Sequence, residues 1–548
     1  MARHRGRRGR DPPGGPVMTS PDLTAEILRN ALCVAAEEAG IVVVRSAYSA
    51  FIVEGADAAA AILDARGRLV AHSLSTALIQ CASLRGALPF LLDAHPPETM
   101  EPGDVFVLND VYQGGIHAND LLVFRPVLVD GAPAYFTGTL IHVADLSGIS
   151  AGGMASDATD VFLEGLQLPP VRIATAEGLA DDLVRVLAAN SRTPERLVGD
   201  LRALIAGANV AARRLEEIIE AHTPEGLARG IADYLAHTER RMRDGLADIP
   251  AGTRRASYTL DDGHTVRVAV TSDGAGALTV DFDGTDEQVP LPVNSGFSQT
   301  IGGVLYAVRC FVDPALPMNE GCFTPVDVRL PRGTLVHCTP PFPGGGRFGT
   351  VAAAEEAVLA AIAPDGAAAS GILQAFSISG VRTPWLHMAF DLGGTGARPD
   401  GDGVDATGAL FGGGRNIIPQ VEPVEARLPL RIEEISLIPD SGGAGRHRGG
   451  LGTRTVLRVL DDARVDTRGE RLRRPPPGAS GGSPGRAGSY LRERADGRTE
   501  PLGTKATRQP LAAGEALIVE TSGGGGHGPS GRRAPEALAR DRADGRIT

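Results

Sequence analysis

Glycine and proline interrupt this chain at short intervals and limit the elements that it can form. The 548 residues include 71 glycines and 39 prolines, about a fifth of the total. Glycine weakens the interior of helices and strands, and proline removes a backbone donor that both need. The sequence therefore predicts many short elements joined by turns, with long helices only where apolar residues recur at helical spacing.

Helical spacing of apolar residues occurs in a few stretches. These are 22–39, which Gly40 should end, 84–94, 195–221, a stretch from Thr223 to about 247, 303–312, 351–363 and 534–546. Thr223 and Pro224 are residue types of an N-cap and a first helical turn. The helices on either side of Thr223 should pack as an antiparallel pair.

Short apolar runs bounded by turn residues predict the strands. They lie within 41–72, at 104–109, 121–129, 134–143 and 256–283, and then at intervals to about 520, with 468–487 as an exposed loop. We therefore expect an α+β fold: a mixed N-terminal half with the helical pair and a candidate metal site, followed by a β-rich C-terminal half. The expected division is a disordered basic tail at 1–20, an α+β domain at 21–250, a β-rich domain at 251–530 and a C-terminal helix or tail at 531–548.

Composition and charge exclude several classes of protein. No apolar run reaches the roughly 18 residues of a membrane span, and no apolar segment follows the arginine-rich start as in a secretory signal. Five cysteines without a CxxC pair argue against a disulfide scaffold or zinc ribbon, fit a reducing cytoplasm, and are each expected to be buried. The net charge of −12 argues against nucleic acid as the main partner. The five arginines of 1–17 fit a disordered extension, or translation starts at Met18.

Lysine occurs once, at Lys505, and no GxxxxGK pattern leads into it. A phosphate-binding loop of the Walker type is therefore absent. If ATP takes part in the chemistry of this protein, the chain does not bind the nucleotide by that route.

The stretch NDVYQGGIHAND at 109–120 carries the strongest chemical signal. It ends in His117 and Asp120, and the two apolar runs that follow are joined by a turn predicted at 130–133. Because the strands of a hairpin are antiparallel, paired residue numbers should sum to about 263, which places His142 opposite position 121. Two imidazoles and a carboxylate at one hairpin end suit a divalent metal such as zinc or manganese.

Other interpretations of these residues stay open. The same three side chains also fit a polar loop with surface hydrogen bonds and no metal. Asp145, just after the second run, is a candidate fourth ligand or a partner that orients a histidine. Asp104 and Asp110 have the positions of turn or capping residues.

Three glycine clusters, at 344–346, 412–414 and 523–526, have two interpretations. They are either tight turns between strands or backbone cradles for an anion. In the second case Arg347, Arg415 and His527, which lie beside them, would be the anion's partners.

Several longer motifs follow one another in a fixed order. They include GDVFVLNDVYQGG at 103–115, NSRTPERLVGDLRA at 190–203, DFDGT at 281–285, NEGC at 319–322, VEARLPLRIEEISLIPDSGGAGRHRGGLG at 424–452 and TSGGGGHG at 521–528. In these motifs the chain resembles the hydantoinase B/oxoprolinase family from about 21 to 548. That family includes the B subunits of ATP-dependent N-methylhydantoinases, the C-terminal half of 5-oxoprolinase and similar subunits of acetone and acetophenone carboxylases.

The resemblance implies a site, an activity and a partner. It implies a divalent metal, zinc or manganese, held by Asp57, His117, Asp120 and His142. Asp57 is assigned to this site by the resemblance alone. It implies a cytoplasmic B subunit of an ATP-dependent cyclic amidohydrolase that hydrolyses a lactam or hydantoin amide. A hydantoinase A-type subunit would bind ATP and phosphorylate the amide oxygen, so a hetero-oligomer is expected. Asp145 would be the catalytic base or support a ligand.

This sequence departs from the family near the expected site. Gly55 to Ala59 read GADAA where RRDFS is common, Ile116 replaces the threonine of GGTH, Val143 stands where a second histidine is common, and GGGRFGTVA at 344–352 replaces a GGNVETS-like loop. These losses of polar groups predict a divergent specificity or reduced activity. Two alternatives remain open. One is a subunit of an ATP-dependent ketone carboxylase, since no feature of the chain decides between it and the hydrolase, and the other is a non-catalytic paralogue, which the lost polar groups favour.

Overall fold

The computed structural model describes residues 20–55, 57–73, 77–408 and 420–548. The expected basic tail, up to residue 19, and the glycine cluster at 412–414 with Arg415 lie outside these residues. The α-helices within them are α1 Ser20–Ser46, α2 Ala50–Gly55, α3 Leu78–Ala94, α4 Asp181–Ala189, α5 Pro194–His222, α6 Pro224–Leu246, α7 Phe297–Val312, α8 Glu320–Phe323, α9 Phe348–Ile362, α10 Val421–Arg427 and α11 Pro535–Ala543.

The strands of the described residues form four sheets. The first has the order β2-β1-β5-β4-β3-β6-β7, with β1 Ala58–Asp64, β2 Leu69–His72, β3 Val105–Leu108, β4 Asp120–Val129, β5 Ala132–His142, β6 Val171–Thr175 and β7 Gly178–Leu179. The second has the order β11-β10-β9-β8, with β8 Gly252–Thr259, β9 Thr265–Ser272, β10 Leu278–Asp281 and β11 Val326–Arg329.

The other two sheets are built from the last third of the chain. One has the order β13-β12-β16-β19, with β12 Gln374–Gly380, β13 Leu386–Asp391, β16 Ala463–Arg468 and β19 Gln509–Leu511. The other has the order β14-β15-β20-β17-β18, with β14 Leu430–Leu437, β15 Thr453–Val459, β17 Ser489–Glu493, β18 Thr499–Pro501 and β20 Ala516–Glu520. The predicted mixture of helices and sheets is thereby confirmed.

The helices confirm most of the predicted periodicity, with one exception. The hydroxyl of Thr223 accepts a hydrogen bond from the backbone N–H of Gly226 at 3.2 Å, so α6 begins at the predicted cap. The predicted end of α1 at Gly40 is wrong, because the helix continues to Ser46. A Cβ at Gly40 would lie 3.3 Å from the side chain of Ser73, so this glycine allows close packing against the segment after β2.

One buried apolar cluster contains side chains from both sides of position 250. It includes Phe106 and Phe124 of the first sheet, Val268 of the second sheet, Val304 of α7 and Val358 of α9. The end of α6 near residue 250 is therefore not a break in the core, although it separates two groups of elements.

Two expectations about exposure are wrong in part. Arg468, Glu470 and Arg471, at the start of the predicted loop 468–487, are buried, whereas Arg473, Arg474 and Pro477 are exposed as expected. Cys310 is exposed and Cys33 is partly exposed, so not every cysteine has a buried apolar role. No described helix has the length and apolar character that crossing a membrane requires.

The hairpin β4–β5 has nearly the predicted register. Asp120 pairs with His142, one residue from the predicted partner. The turn is shorter than predicted, because Asp130 and Gly131 both adopt positive φ angles of 50° and 81° and close it by themselves. A register shift between Val127 and Leu128 adjusts the pairing on the way to the site.

The glycine cluster at 523–526 is neither a turn nor an anion cradle. All four of its backbone N–H groups donate to carbonyls of other segments, for example Gly524 to Gly450 at 2.9 Å and Gly525 to Ala369 at 2.9 Å. A Cβ at Gly524 would lie 1.9 Å from the carbonyl oxygen of Thr395. The glycines are therefore needed because backbones from several segments pack here in direct contact.

We predict that Gly524→Ala destabilises the protein by about 3 kcal/mol or more, since the new methyl group has no space and its neighbours are backbone atoms. Thermal unfolding followed by circular dichroism measures the change. Gly531 is the matched control, because a Cβ there meets nothing within 4 Å, and Gly531→Ala should change the stability by about 0.5 kcal/mol or less. Equal midpoints for the two variants would contradict this account of the cluster.

Candidate metal centre

Three predicted site residues meet at one end of the hairpin. His117 lies in the loop before β4, Asp120 is the first residue of β4, and His142 is the last residue of β5. His117 Nε2 lies 3.1 Å from Asp120 Oδ2, and His142 Nδ1 lies 3.3 Å from Asp120 Oδ1. The same two histidine nitrogens lie 3.1 Å apart.

This spacing fits one small divalent cation. In a tetrahedral zinc site with bonds of about 2.0–2.1 Å, neighbouring ligand atoms lie about 3.3 Å apart. The facing atoms of His117, Asp120 and His142 all lie within 4.8 Å of one another. All three side chains are at least nine-tenths buried, so the group is not a surface loop with solvated hydrogen bonds.

The protonation states of the group suit metal ligands. Burial lowers the pKa of His117 well below its usual value, so the imidazole is neutral and keeps a lone pair at neutral pH. Burial by itself would raise the pKa of Asp120, but the neighbouring His117, His142 and Arg347 lower it to about 2. The centre therefore presents the neutral imidazole of His117 and an ionised carboxylate at Asp120.

Asp57 lines the same cavity but is not one of the three clustered residues. Its Oδ1 accepts a hydrogen bond of 2.5 Å from Gln80 Nε2, which comes from the first turn of α3. Burial, and next the charge of Asp120, raise the pKa of Asp57 to about 6. A cation in this cavity would stabilise the ionised forms of both carboxylates.

The cavity in front of the cluster has both apolar and charged walls. Its apolar surface comes from Ile116, Met154, Phe348, Met388 and Phe390. These residues belong to distant parts of the chain, so the cavity is closed by the N-terminal sheet, α9 and β13 together. Such a mixed lining suits a small molecule with an apolar body and a polar reacting group.

Two arginines supply positive charge to the cavity wall. Arg347 is 3% exposed, and its Nη2 lies 4.0 Å from Asp120 Oδ2. Burial lowers its pKa to about 10, so it stays charged at neutral pH. Arg468 donates from Nη1 to the carbonyl of Gly345 at 2.6 Å and from Nη2 to that of Gly153 at 3.0 Å.

The glycine cluster at 344–346 holds an anion that is part of the protein. Glu164 accepts hydrogen bonds from the backbone N–H groups of Gly344 and Gly345 at 3.1 Å and 2.7 Å. Burial raises the pKa of this carboxyl, while Arg468 and the two N–H groups act in the opposite direction. The cradle fixes the loop that leads to Arg347, so it supports the cavity.

Asp145 lies apart from the cluster. It is 1% exposed, and its Oδ1 accepts from Arg192 Nη1 at 2.7 Å and from the backbone N–H of Gly152 at 3.1 Å. It does not line the cavity, but Gly152 does. A catalytic base at Asp145 stays a prediction, and these contacts favour the alternative of a supporting residue.

Sequence reasoning missed several residues of the site. Gln80 lies near the start of a helix whose apolar pattern gives no sign of it, and Arg468 lies in the segment expected to be an exposed loop. Glu164 lies in the stretch DATDVFLEG at 157–165, whose sequence carries no information about its distant glycine partners. Arg347, predicted as the partner of an anion at the glycine cluster, lines the cavity and hydrogen-bonds Gln299, while Glu164 occupies the cluster.

A buried pair of histidines with an aspartate, at the edge of a cavity, defines a protein with a candidate metal centre. The hydantoinase B/oxoprolinase family matches residues 22–530, and the chain belongs to that family. The resemblance found in the motifs is thereby confirmed.

Individual relatives cover almost the whole chain. The beta subunit of caprolactamase from Pseudomonas jessenii is 29% identical, over 97% of this chain and 94% of the relative. The B subunit of a putative D-/L-hydantoinase from Pseudomonas sp. strain NS671 is 28% identical, over 96% and 93%. The 5-oxoprolinase of Dictyostelium discoideum is 26% identical, and the match covers 39% of that longer protein.

Two solved structures share the fold. The ATP-dependent caprolactamase from Pseudomonas jessenii has a TM-score of 0.88 and 26% identity, over 96% of this chain and 94% of that one. An acetone carboxylase structure has a TM-score of 0.84 over 95% of this chain and 78% of that one. Its identity of 18% shows a common fold and nothing finer.

We predict that Glu164→Gln destabilises the protein by about 1.5–3 kcal/mol, because it replaces a charged acceptor of two backbone donors with an amide that has one acceptor atom. The free energy of unfolding from denaturant titration measures the effect. Glu98, which is exposed, provides the control: Glu98→Gln should leave the unfolding midpoint unchanged. The same stability for both variants would show that the cradle does not depend on the carboxylate.

Proposed function

We propose that this chain is the hydrolytic subunit of an ATP-dependent cyclic amidohydrolase. Its substrate would be a lactam or hydantoin, whose ring amide is opened by water. The observation that carries the proposal is the buried group His117, Asp120 and His142 in a cavity with Asp57, in a member of the hydantoinase B/oxoprolinase family.

The donor set supports a divalent metal, zinc or manganese, held by Asp57, His117, Asp120 and His142. A cation in this place would supply a water molecule of lowered pKa for attack on an amide carbon. Gln80 fixes one oxygen of Asp57, and the hairpin register fixes Asp120 relative to His142. The chain's own residues therefore set the geometry in which the water and the amide meet.

A separate chain is proposed to bind ATP. An unactivated amide is a poor electrophile, and phosphorylation of its oxygen would provide a leaving group. Lys505 is the single lysine, and the sequence has no Walker loop. The proposed partner is a hydantoinase A-type subunit, with which this chain would form a hetero-oligomer in the cytoplasm. The caprolactamase beta subunit among its relatives supports such an arrangement.

Asp145 is proposed to act through the cavity wall. It holds the backbone N–H of Gly152, and the adjacent carbonyl of Gly153 accepts from Arg468. In this role Asp145 is a positioning residue rather than the base that removes a proton from the water. The apolar walls at Met388 and Phe390 would contact the methylene groups of a ring.

The metal content of the purified protein tests the site. After incubation with zinc or manganese and exhaustive dialysis, the wild type should retain about one ion per chain, measured by plasma mass spectrometry. His117→Ala should weaken binding by more than about 100-fold, because the loss of a ligand exceeds the usual effect of a residue that only supports one. His237→Ala, on the exposed face of α6, should retain the ion. Wild-type protein that takes up no ion would rule the proposal out.

Turnover tests the reaction. With an A-type subunit and ATP, the wild type should open lactams or hydantoins, and His142→Ala should lower kcat by more than about 100-fold. The measurement is ring-opened product by mass spectrometry, with His237→Ala again as the control. Consumption of ketone and bicarbonate without amide hydrolysis would instead indicate the carboxylase alternative. Bound metal without any turnover would indicate a non-catalytic paralogue.

A further inference from the structure

Arg347 has an unusual set of contacts for a buried arginine. Its Nε donates to Gln299 Oε1 at 2.9 Å. Within the described part of the chain, Nη1 has no hydrogen-bond partner. The ion pair of Nη2 with Asp120 spans 4.0 Å, which is longer than a hydrogen bond. A guanidinium has five N–H donors, and leaving several of them unpaired in a buried place is costly.

The other buried arginine of the cavity has no such deficit. Arg468 uses both terminal nitrogens on the carbonyls of Gly345 and Gly153. The carboxylate of Glu164 lies against the same loop and offsets its charge. Both arginines line the same cavity, but Arg347 has fewer hydrogen-bond partners than Arg468.

When a divalent cation is included, the residues at the cavity carry one more positive charge than negative charge. Asp57 and Asp120 would offset a divalent cation, and Glu164 offsets Arg468. No further carboxylate lines the cavity among the described residues. With a cation held by Asp57 and Asp120, Arg347 keeps only the ring of Phe348, 5.0 Å from its Cζ, and the charge of Glu164, which it shares with Arg468. A ligand with one negative charge would restore the balance.

The surroundings of Arg347 indicate which chemical groups such a ligand would carry. Arg347 stands at the start of α9, next to Phe348, and faces the ionised oxygen of Asp120. The apolar residues Ile116, Met388 and Phe390 line other parts of the same cavity. The Nε side of the guanidinium is bonded to Gln299, which leaves the edge formed by Nη1 and Nη2. This planar edge matches two oxygens of a carboxylate or a phosphoryl group.

We propose that Arg347 binds an oxyanion carried by the substrate. Where that oxyanion is a carboxylate on the ring, Arg347 also selects the substrates that this chain accepts. The oxyanion is either a carboxylate on the ring or a phosphoryl group on the amide oxygen. This inference rests on the proposed hydrolase, because it assumes that the cavity receives the substrate. The changed loop at 344–352 thus loses polar groups of the family pattern but contributes a charged one in their place.

Binding of an oxyanion tests the inference directly. Titration calorimetry with inorganic phosphate on metal-loaded protein should give weaker binding in Arg347→Gln than in the wild type, by about tenfold or more. Arg347→Lys keeps the charge but not the two-pronged geometry, and its affinity should lie between the two. Arg66→Gln, at an exposed turn, is the control and should match the wild type. Metal content and circular dichroism of each variant show whether it is folded and loaded.

A substrate pair then distinguishes the two sources of the oxyanion. With the ATP-binding subunit present, kcat/KM is compared for 5-oxoproline, which has a ring carboxylate, and 2-pyrrolidone, which lacks one. A loss in Arg347→Gln confined to 5-oxoproline would identify the carboxylate, and an equal loss for both would identify the phosphoryl group. Unchanged phosphate affinity and unchanged kcat/KM in a folded, metal-loaded Arg347→Gln would overturn the inference but leave the hydrolase intact. Wild-type protein without metal would instead overturn the proposed function.

Discussion

The antiparallel pairing of β4 with β5 is the constraint on which the candidate site depends. It places Asp120 directly opposite His142, and the loop before β4 returns His117 to the same end. A shift by one residue would turn the side chain of His142 to the other face of the sheet, because strand side chains alternate. The tight turn at Asp130 and Gly131 and the buried faces of both strands make such a shift costly. The candidate metal ligands are thus held by the backbone hydrogen bonds of the hairpin rather than by one another.

A second layer of structure fixes the groups that surround these ligands. The cradle of Gly344 and Gly345 around Glu164 holds the loop that carries Arg347. Arg468 connects this loop to the Gly153 segment on the opposite wall. In both cases a buried charge is satisfied mainly by backbone groups, which are less mobile than side chains. The cavity therefore has rigid polar walls and one arginine, Arg347, whose Nη1 has no hydrogen-bond partner within the described residues.

Much of the fold and the centre of the site could be predicted, for identifiable reasons. Helices such as α5 and α6 are recognised by apolar spacing and by Thr223-Pro224, which are local signals. His117, Asp120 and His142 could be brought together because a hairpin relates distant positions by simple arithmetic. Asp57 could not be derived in this way, since β1 joins the hairpin through a long-range pairing with β5. No sequence pattern marks Gln80 or Arg468 as site residues. The helix end predicted at Gly40 was wrong, because the glycine is there for close packing against Ser73, which is a tertiary contact.

The sequence by itself determined the α+β mixture of elements and the family. It also determined the hairpin and the three residues that meet at its end: His117, Asp120 and His142. It did so because turn chemistry, side-chain alternation and helical spacing act over a few neighbouring residues. Only the tertiary structure decided that the glycines of 523–526 serve backbone packing and that Glu164 fills the cradle of Gly344 and Gly345. It also decided that Arg347 lines the cavity with an Nη1 that has no hydrogen-bond partner in the described part of the chain. Those outcomes depend on which distant segments meet, and contacts between distant segments leave no periodic trace in the sequence.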